Sequence, residues 1–322
     1  MINLFNIPSH QIDTRDLNHL LHDPVVFKFE CEFADYVGAK YACFANSASS
    51  LIFLSLLNLN ETIRIPSIMP PVVPNSILNS GNRLQFYDDI DWVGGMYKLH
   101  DGIWDSAQEV TRNQFKIAKD NDVMIFSFYP TKPISGCDGG MIVSNNRYII
   151  ENYRTMINNG CTIGSSWGIE QKQVGYKMHG NSIQALIAYS NFKTLDQKNK
   201  ILNEIRAEYN DKLNCTNTSL HLYRMRVDNN KEFLQKMKDH GIQCGIHYGA
   251  CHNSTVFRSR QSLRPILGAD RHFSYQIGSK KSHILPKSER EEKQTISIPF
   301  HEKLTKKDIN KVIENVKQLR KL

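Results

Sequence analysis

Between residues 25 and 145 short apolar runs alternate with helix-like segments, and this rhythm constrains the fold more than any other feature of the chain. Residues 41–44, 62–65, 84–87 and 123–126 read as strands, residues 50–57 as a helix apolar on most sides, and 74–79 as the start of another. Strands interleaved with helices argue for an α/β layer structure around a largely parallel sheet. A long helical stretch follows over 182–210. Ile183, Leu186, Ile187, Phe192, Leu195, Ile201 and Ile205 fall at helical spacing there, with a break midway. From about residue 207 the pattern changes. Residues 220–227 alternate as a strand, 231–240 read as a helix stopped by Gly241, and 243–248 and 296–298 as two further strands. A closing amphipathic helix over 305–322 takes Thr305 as its N-cap. The expected organisation is a large α/β domain over 1–206 and a small α+β domain over 207–322, packed closely with no low-complexity linker.

Composition enters by what it excludes. With 322 residues and 40% hydrophobic content the chain can bury a substantial core. No stretch approaches the length of a membrane span, and Met1-Ile-Asn-Leu lacks the charged-then-apolar layout of a signal peptide. Seven scattered cysteines without a CxxC pair read as reduced thiols in a cytoplasmic protein, not as a disulfide frame or a zinc site. The net charge of +8 gathers at Lys280-Lys281, Lys306-Lys307 and Arg320-Lys321, where acids are mixed in. A solvated helical face explains it better than nucleic-acid binding, and a basic surface also suits a substrate carrying a diphosphate.

Chemistry concentrates at Lys132, inside Ser127-Phe-Tyr-Pro-Thr-Lys132-Pro-Ile-Ser-Gly136-Cys-Asp-Gly-Gly140. It follows the apolar run 123–126 and precedes a glycine-rich turn. A lysine at the mouth of a buried strand can lose its proton and attack a carbonyl, although lysines also follow strands merely to solvate a loop. Two other segments give it company. Asn46-Ser-Ala-Ser-Ser50 runs from a strand into a helix, where amides and the positive dipole end suit a phosphate; ordinary serine N-capping is the plainer explanation. Asp105, after Gly102-Ile-Trp104, can hold a ring nitrogen protonated, or can cap a turn. Gln108 lies three residues on, and Ser127 can add a phosphate donor. Together the three segments can grip pyridoxal phosphate (PLP) by its aldehyde, its ring nitrogen and its phosphate. The acids Asp88, Asp89 and Asp91 follow a strand into a polar loop and read as a solvated turn, not a metal site.

Ser127-Phe-Tyr-Pro-Thr-Lys132 followed by Cys137-Asp-Gly-Gly-Met-Ile-Val143 resembles the lysine motif of the DegT-type (DegT/StrS) nucleotide-sugar aminotransferases, which are fold-type-I PLP enzymes. Residues 29–41 resemble the family's N-terminal helix and first strand, 46–51 its phosphate turn, and Trp104-Asp-Ser-Ala-Gln108 its aspartate motif. Gly175-Tyr-Lys-Met-His-Gly180 resembles the segment that reaches a neighbouring subunit's site. Gly245-Ile-His-Tyr248 and 298–305 resemble parts of its C-terminal domain. Nearly the whole chain is covered in order. The resemblance implies Lys132 as the Schiff-base lysine and proton shuttle, Asp105 on the pyridinium and Gln108 against the ring. Ser127 with the Ser47 and Ala48 amides would bind the phosphate, Lys177 or His179 would enter from the partner subunit, and no metal takes part. It also implies a homodimer with composite sites, glutamate as amino donor, and a nucleotide-linked keto-deoxy sugar, C4-keto and 6-deoxy, as acceptor.

Three departures stand out. Ser47-Ala48 occupies the place of the usual Gly-Thr, with Ser49 or Ser50 able to replace the lost hydroxyl, and Pro70 stands where an aromatic residue usually stacks on the ring. Only fifteen residues separate Asp89 from Asp105. A parallel strand pair needs a crossover of about a dozen residues, so a strand-helix unit is expected to be missing or reduced to a loop, opening the sugar site. The alternatives are a nucleotide-sugar-binding protein of the same fold without turnover, and a PLP-dependent sugar dehydratase. Lys132 argues against the latter, whose members carry histidine there.

Overall fold

The computed structural model describes residues 1–8, 15, 17–162, 170–258 and 284–320. In chain order its main elements are α1 (Pro24–Val37), β1 (Tyr41–Ala45), α2 (Ala48–Leu56), β2 (Thr62–Pro66), α3 (Val72–Asn79), β3 (Arg83–Tyr87), β4 (Tyr97–His100), β5 (Ile103–Asp105), β6 (Val123–Ser127), β7 (Gly140–Ser144), α4 (Arg147–Ile157), α5 (Ser182–Phe192), α6 (Leu195–Leu213), β8 (Tyr223–Arg226), α7 (Asn230–Asp239) and β9 (Thr295–Ile298), with helices Pro286–Gln294 before β9 and Lys306–Arg320 after it. Backbone contacts divide the chain into two compact units that interleave in sequence. One comprises Ile7–Ser55 and Met96–Leu195; the other comprises Met1–Asn6, Leu56–Gly95 and Asp196–Leu322.

The first unit is built on a five-stranded sheet of order β1-β7-β6-β5-β4. Its core is aromatic. Phe29 and Phe33 of α1, both fully buried, pack on Phe126 and Phe128 and on Phe192 of α5, with ring centroids 4.9–5.8 Å apart. Each such ring contributes on the order of 2 kcal/mol by burial. The helix that carries them is fixed at both ends. Asp23 accepts the Val25 N–H as N-cap, Pro24 opens the first turn, and Gly38 closes the last with φ of 80°.

The second unit holds two small sheets, a parallel pair β2–β3 joined through α3 and an antiparallel pair β8–β9. Around β8–β9 lie Leu202 and Tyr209 of α6, Met237 of α7, and Val312 and Val316 of the last helix. Thr305 caps that helix as its sequence implied, receiving the Asp308 N–H and donating its hydroxyl to Asp308.

Several expectations change. The sheet is mixed, not largely parallel. Among the described strand pairings only β2–β3 and β5–β6 are parallel, and the other four are antiparallel. For β4 and β5 the cause is a short connection, the two residues Asp101 and Gly102, which permits only an antiparallel hairpin; β7 returns antiparallel to β6 after the turn that holds Gly136 and Gly139. The stretch between Asp89 and Asp105 does lack the helix of a strand-helix unit: residues 88–96 run as turns and coil, and the short hairpin strand β4 takes up much of the rest. The division of the chain also differs from a cut at 206/207. Residues 56–95 join the unit that contains 207–322, because β2 and β3 pair only with each other among the described strands. Residues 243–248 do not form a strand. Gln243 donates to Ile2 while Gly245 exchanges both backbone hydrogen bonds with Ser297, so the run is shared between two partners. Asp88 is no solvated turn residue: it accepts the Lys287 and Ser288 N–H groups at the start of helix Pro286–Gln294. Lys280, Lys281 and Lys321 lie outside the described residues.

Candidate active site

The C-terminal ends of β1, β5 and β6 lie along one edge of the five-stranded sheet, the position where open α/β sheets bind ligands. Register sets what meets there. Ala45 pairs with Gly140 and Gly140 with Ser127, so three strands present one row. Asp105 ends β5 opposite Ile125, two residues short of Ser127, and the Ser106 N–H donates to the Ile125 carbonyl at 2.8 Å. The sheet thus brings Asp105, Ser127 and the segment after Ala45 together.

That segment turns into α2. Ser47 caps it, its Oγ accepting the Ser50 N–H at 3.2 Å, while Ser50 Oγ donates to Asn46 at 2.8 Å. Serine N-capping is therefore real here, and it leaves the Ala48 amide in a first turn that has no acceptor within the helix. The chain passes so close to β7 that a Cβ on Gly140 would sit 2.4 Å from the Ala48 nitrogen. Only glycine fits there. Ser47 also bridges to Gly139, whose φ of +133° bars an ordinary side chain.

Lys132 follows β6 in a turn closed by its own N–H donating to Tyr129 O at 2.8 Å and by Gly136 N–H donating to Phe128 O at 2.9 Å. Its stem keeps some exposure, but burial of the ammonium lowers its pKa from 10.5 to about 8, against the attraction of Asp105. Asp105 is 4% exposed. Burial raises its pKa, opposed by the Ala107 N–H, by the Tyr97 hydroxyl and by Lys132. Each group thus acts electrostatically on the other, as an amine and an acid gripping one ring require. Gln108 and Ser127 are also buried.

Lys177 and His179 lie on a segment stitched to the same edge. Lys177 bridges to Asn158 and is exposed; His179 bridges to Ala45, and Met178 O accepts the Asn46 N–H at 2.8 Å. His179 packs against the His22 ring at 5.2 Å, and its buried Nδ1 has no hydrogen-bond partner among the described residues. Pro70 belongs to the other compact unit.

Sequence reasoning missed Tyr97. Its hydroxyl donates to Asp105 Oδ2 at 2.9 Å. A signal was present: Asp101-Gly102 flanked by Tyr97-Lys-Leu-His100 and Ile103-Trp104 is a hairpin pattern.

These residues fit PLP. The amine is partly neutral near pH 8, both oxygens of the buried acid accept from neutral donors, and a glycine-lined helix N-terminus is available to an anion. No metal-binding cluster of His, Cys, Asp or Glu occurs among the described residues.

The chain is 25% identical to the spore coat polysaccharide biosynthesis protein SpsC of Bacillus subtilis, covering 95% of this chain and 92% of that protein. It is 22% identical to the UDP-4-amino-4,6-dideoxy-N-acetyl-beta-L-altrosamine transaminase of Campylobacter jejuni, covering 93% of each. The SpsC alignment runs over 378 residues against the 322 of this chain, so that relative carries segments absent here. Among solved structures, the aminotransferase TlmJ of Streptoalloteichus hindustanus superposes with a TM-score of 0.79 at 21% identity, covering 99% of this chain and 98% of that one. The family model described as the DegT/DnrJ/EryC1/StrS aminotransferase family matches residues 103–317, which include Asp105, Ser127 and Lys132. The chain belongs to that family of PLP-dependent sugar aminotransferases.

Proposed function

We propose that this aminotransferase moves an amino group from glutamate to C4 of a nucleotide-linked 4-keto-6-deoxy sugar, and that it does so as a cytoplasmic homodimer. The observation that carries the reading is Lys132, an amine with pKa near 8 in electrostatic reach of the buried Asp105, at a sheet edge beside the N-terminus of α2. The C. jejuni relative, named for a 4-amino-4,6-dideoxy sugar, supports the acceptor class. Seven free cysteines, Cys31 and Cys137 exposed among them, support a reducing compartment.

Each side chain has a task in this reading. When bound, PLP supplies an aldehyde that takes up an amino group and a ring that accepts an electron pair. Lys132 carries its proton at Nζ. With a pKa near 8, roughly a quarter of the lysine is neutral at pH 7.5, against about a thousandth for an ordinary lysine. A neutral Nζ would be competent to condense with an aldehyde, with loss of water, and as a free amine would be competent to take up and release a proton. Asp105 holds a proton on the ring nitrogen. Gln108 would lie against the ring, and Ser127 with the Ser47 and Ala48 amides would bind the phosphate. Lys177 or His179 serves the partner subunit's site.

The test is spectroscopic. Purified protein loaded with PLP is expected to absorb in the visible range, to lose that band on borohydride reduction with modification at Lys132, and to bleach on addition of glutamate. Colourless protein that refuses PLP would instead favour a binding protein without turnover.

A further inference from the structure

The carboxylate of Asp105 is held from two sides. The Ala107 N–H donates to Oδ1 at 2.9 Å, and the Tyr97 hydroxyl donates to Oδ2 at 2.9 Å. Tyr97 opens β4 directly opposite Asp105 in the β4–β5 register, so the two side chains share one face of the sheet with Cβ atoms about 5 Å apart. It is only 8% exposed, and a phenol buried so deeply takes a hydrogen-bond partner. The hairpin that delivers it is fixed locally by the turn at Gly102, with φ of +72°, and by the Lys98–Asp101 ion pair. This is the hairpin that occupies the shortened stretch between Asp89 and Asp105.

We propose that Tyr97 is a positioning residue for the reaction: its hydroxyl holds Asp105 Oδ2 so that the proton shared with the cofactor's ring nitrogen stays on the nitrogen. The proposal rests on the reading of Asp105 as the ring-nitrogen partner. A donor to a carboxylate stabilises the ionised form, whereas the dry surroundings of Asp105 favour the neutral one. Without the phenol the carboxylate becomes more basic, the shared proton moves from nitrogen to oxygen, and the ring loses positive charge. A neutral ring withdraws less electron density from the nitrogen that links it to Lys132, so that nitrogen keeps its proton to higher pH. It is also a weaker electron sink.

The experiment is a pH titration of the visible absorbance of PLP-loaded protein for wild type, Tyr97→Phe, Asp105→Asn and the double variant. Tyr97→Phe is expected to raise the midpoint by about one pH unit. Its kcat is expected to fall about tenfold with KM for the amino donor little changed. In the Asp105→Asn background Tyr97→Phe should add no further shift. A wild-type midpoint in Tyr97→Phe, with Asp105→Asn shifted, overturns the role of Tyr97 alone. The same shift from Tyr97→Phe in both backgrounds also overturns it, because the phenol then acts elsewhere. Unchanged titration and activity in Asp105→Asn instead overturns the reading of Asp105 on which the proposal rests. Cofactor-free protein gives a separate check: Tyr97→Phe should lose more thermal stability at pH 8 than at pH 5, and equal losses contradict the proposal.

Discussion

Glu30 and Asp105 are both buried acids of the same compact unit, and the chain treats them in opposite ways. Glu30, on α1, is matched by a cation. Arg154 of α4 donates to its Oε1 at 3.0 Å and approaches Oε2 at 2.9 Å, while the Phe44 N–H donates to Oε1 at 2.7 Å. Among the described residues Asp105 receives a phenol and an amide, and the cation that acts on it, Lys132, has itself been pushed toward neutrality. One carboxylate has a guanidinium of the fold beside it, although its Oε2 makes no hydrogen bond among the described residues and burial still raises its pKa. The other has only a partly neutralised lysine for a cation, a setting in which the proposed pairing with a protonated ring nitrogen would supply the missing charge. On the proposed reading of Asp105, the difference separates an ion pair of the scaffold from a piece of the site, and burial alone does not reveal it.

Four measurements test that contrast. The largest effect is expected from Lys132→Ala, which should cut turnover by roughly four orders of magnitude while thermal unfolding changes little; transamination retained at wild-type level contradicts the assignment. Asp105→Asn should lower kcat by about 10²–10³-fold and leave cofactor-free protein at least as stable at neutral pH. The sign follows from its pKa, which burial raises above the unfolded value. Its favourable contribution is present below that unfolded value and lost as pH rises through the folded one, so at pH 7 the amide removes a penalty. Arg154→Ala should do the reverse, costing about 3 kcal/mol in denaturant unfolding by leaving Glu30 buried without its cation. Its folded fraction should still label with borohydride, and an unchanged unfolding midpoint would show the pair to be dispensable. The smallest effect is on cofactor uptake. The rate of PLP incorporation should rise roughly fivefold between pH 7 and 8 as Lys132 loses its proton, and a flat profile would mean the amine is not tuned.

The parts of the molecule that were legible in sequence are those governed by local pattern. The strands at 41–45, 62–66, 83–87 and 123–127, and the helices around 50 and 75, appear where short apolar runs and their spacing put them. The break in the long helical stretch appears too, at Lys193 and Thr194 between α5 and α6. The grouping of Asp105, Ser127 and Ser47 at one edge was legible because each ends an apolar run. What escaped depends on pairing across distance. β4 is only four residues long and carries Lys98 and His100, so apolar content did not mark it, and its phenol could not be placed on Asp105 without the hairpin register. α4 escaped because its buried face is only Ile150, Tyr153 and Ile157 amid charged residues, and with it went the Arg154 partner of Glu30, 124 positions away in sequence.

The interleaving of the two compact units bears on how the chain is made. The unit that holds Lys132 and Asp105 ends at Leu195, so all of its residues have been synthesised before Asp196 is added. Residues 56–95, translated early, must wait for residues 196–322 before their own unit has its full complement. On the growing polypeptide, the unit that carries Lys132 and Asp105 can therefore take shape while β2, α3 and β3 still lack the rest of theirs.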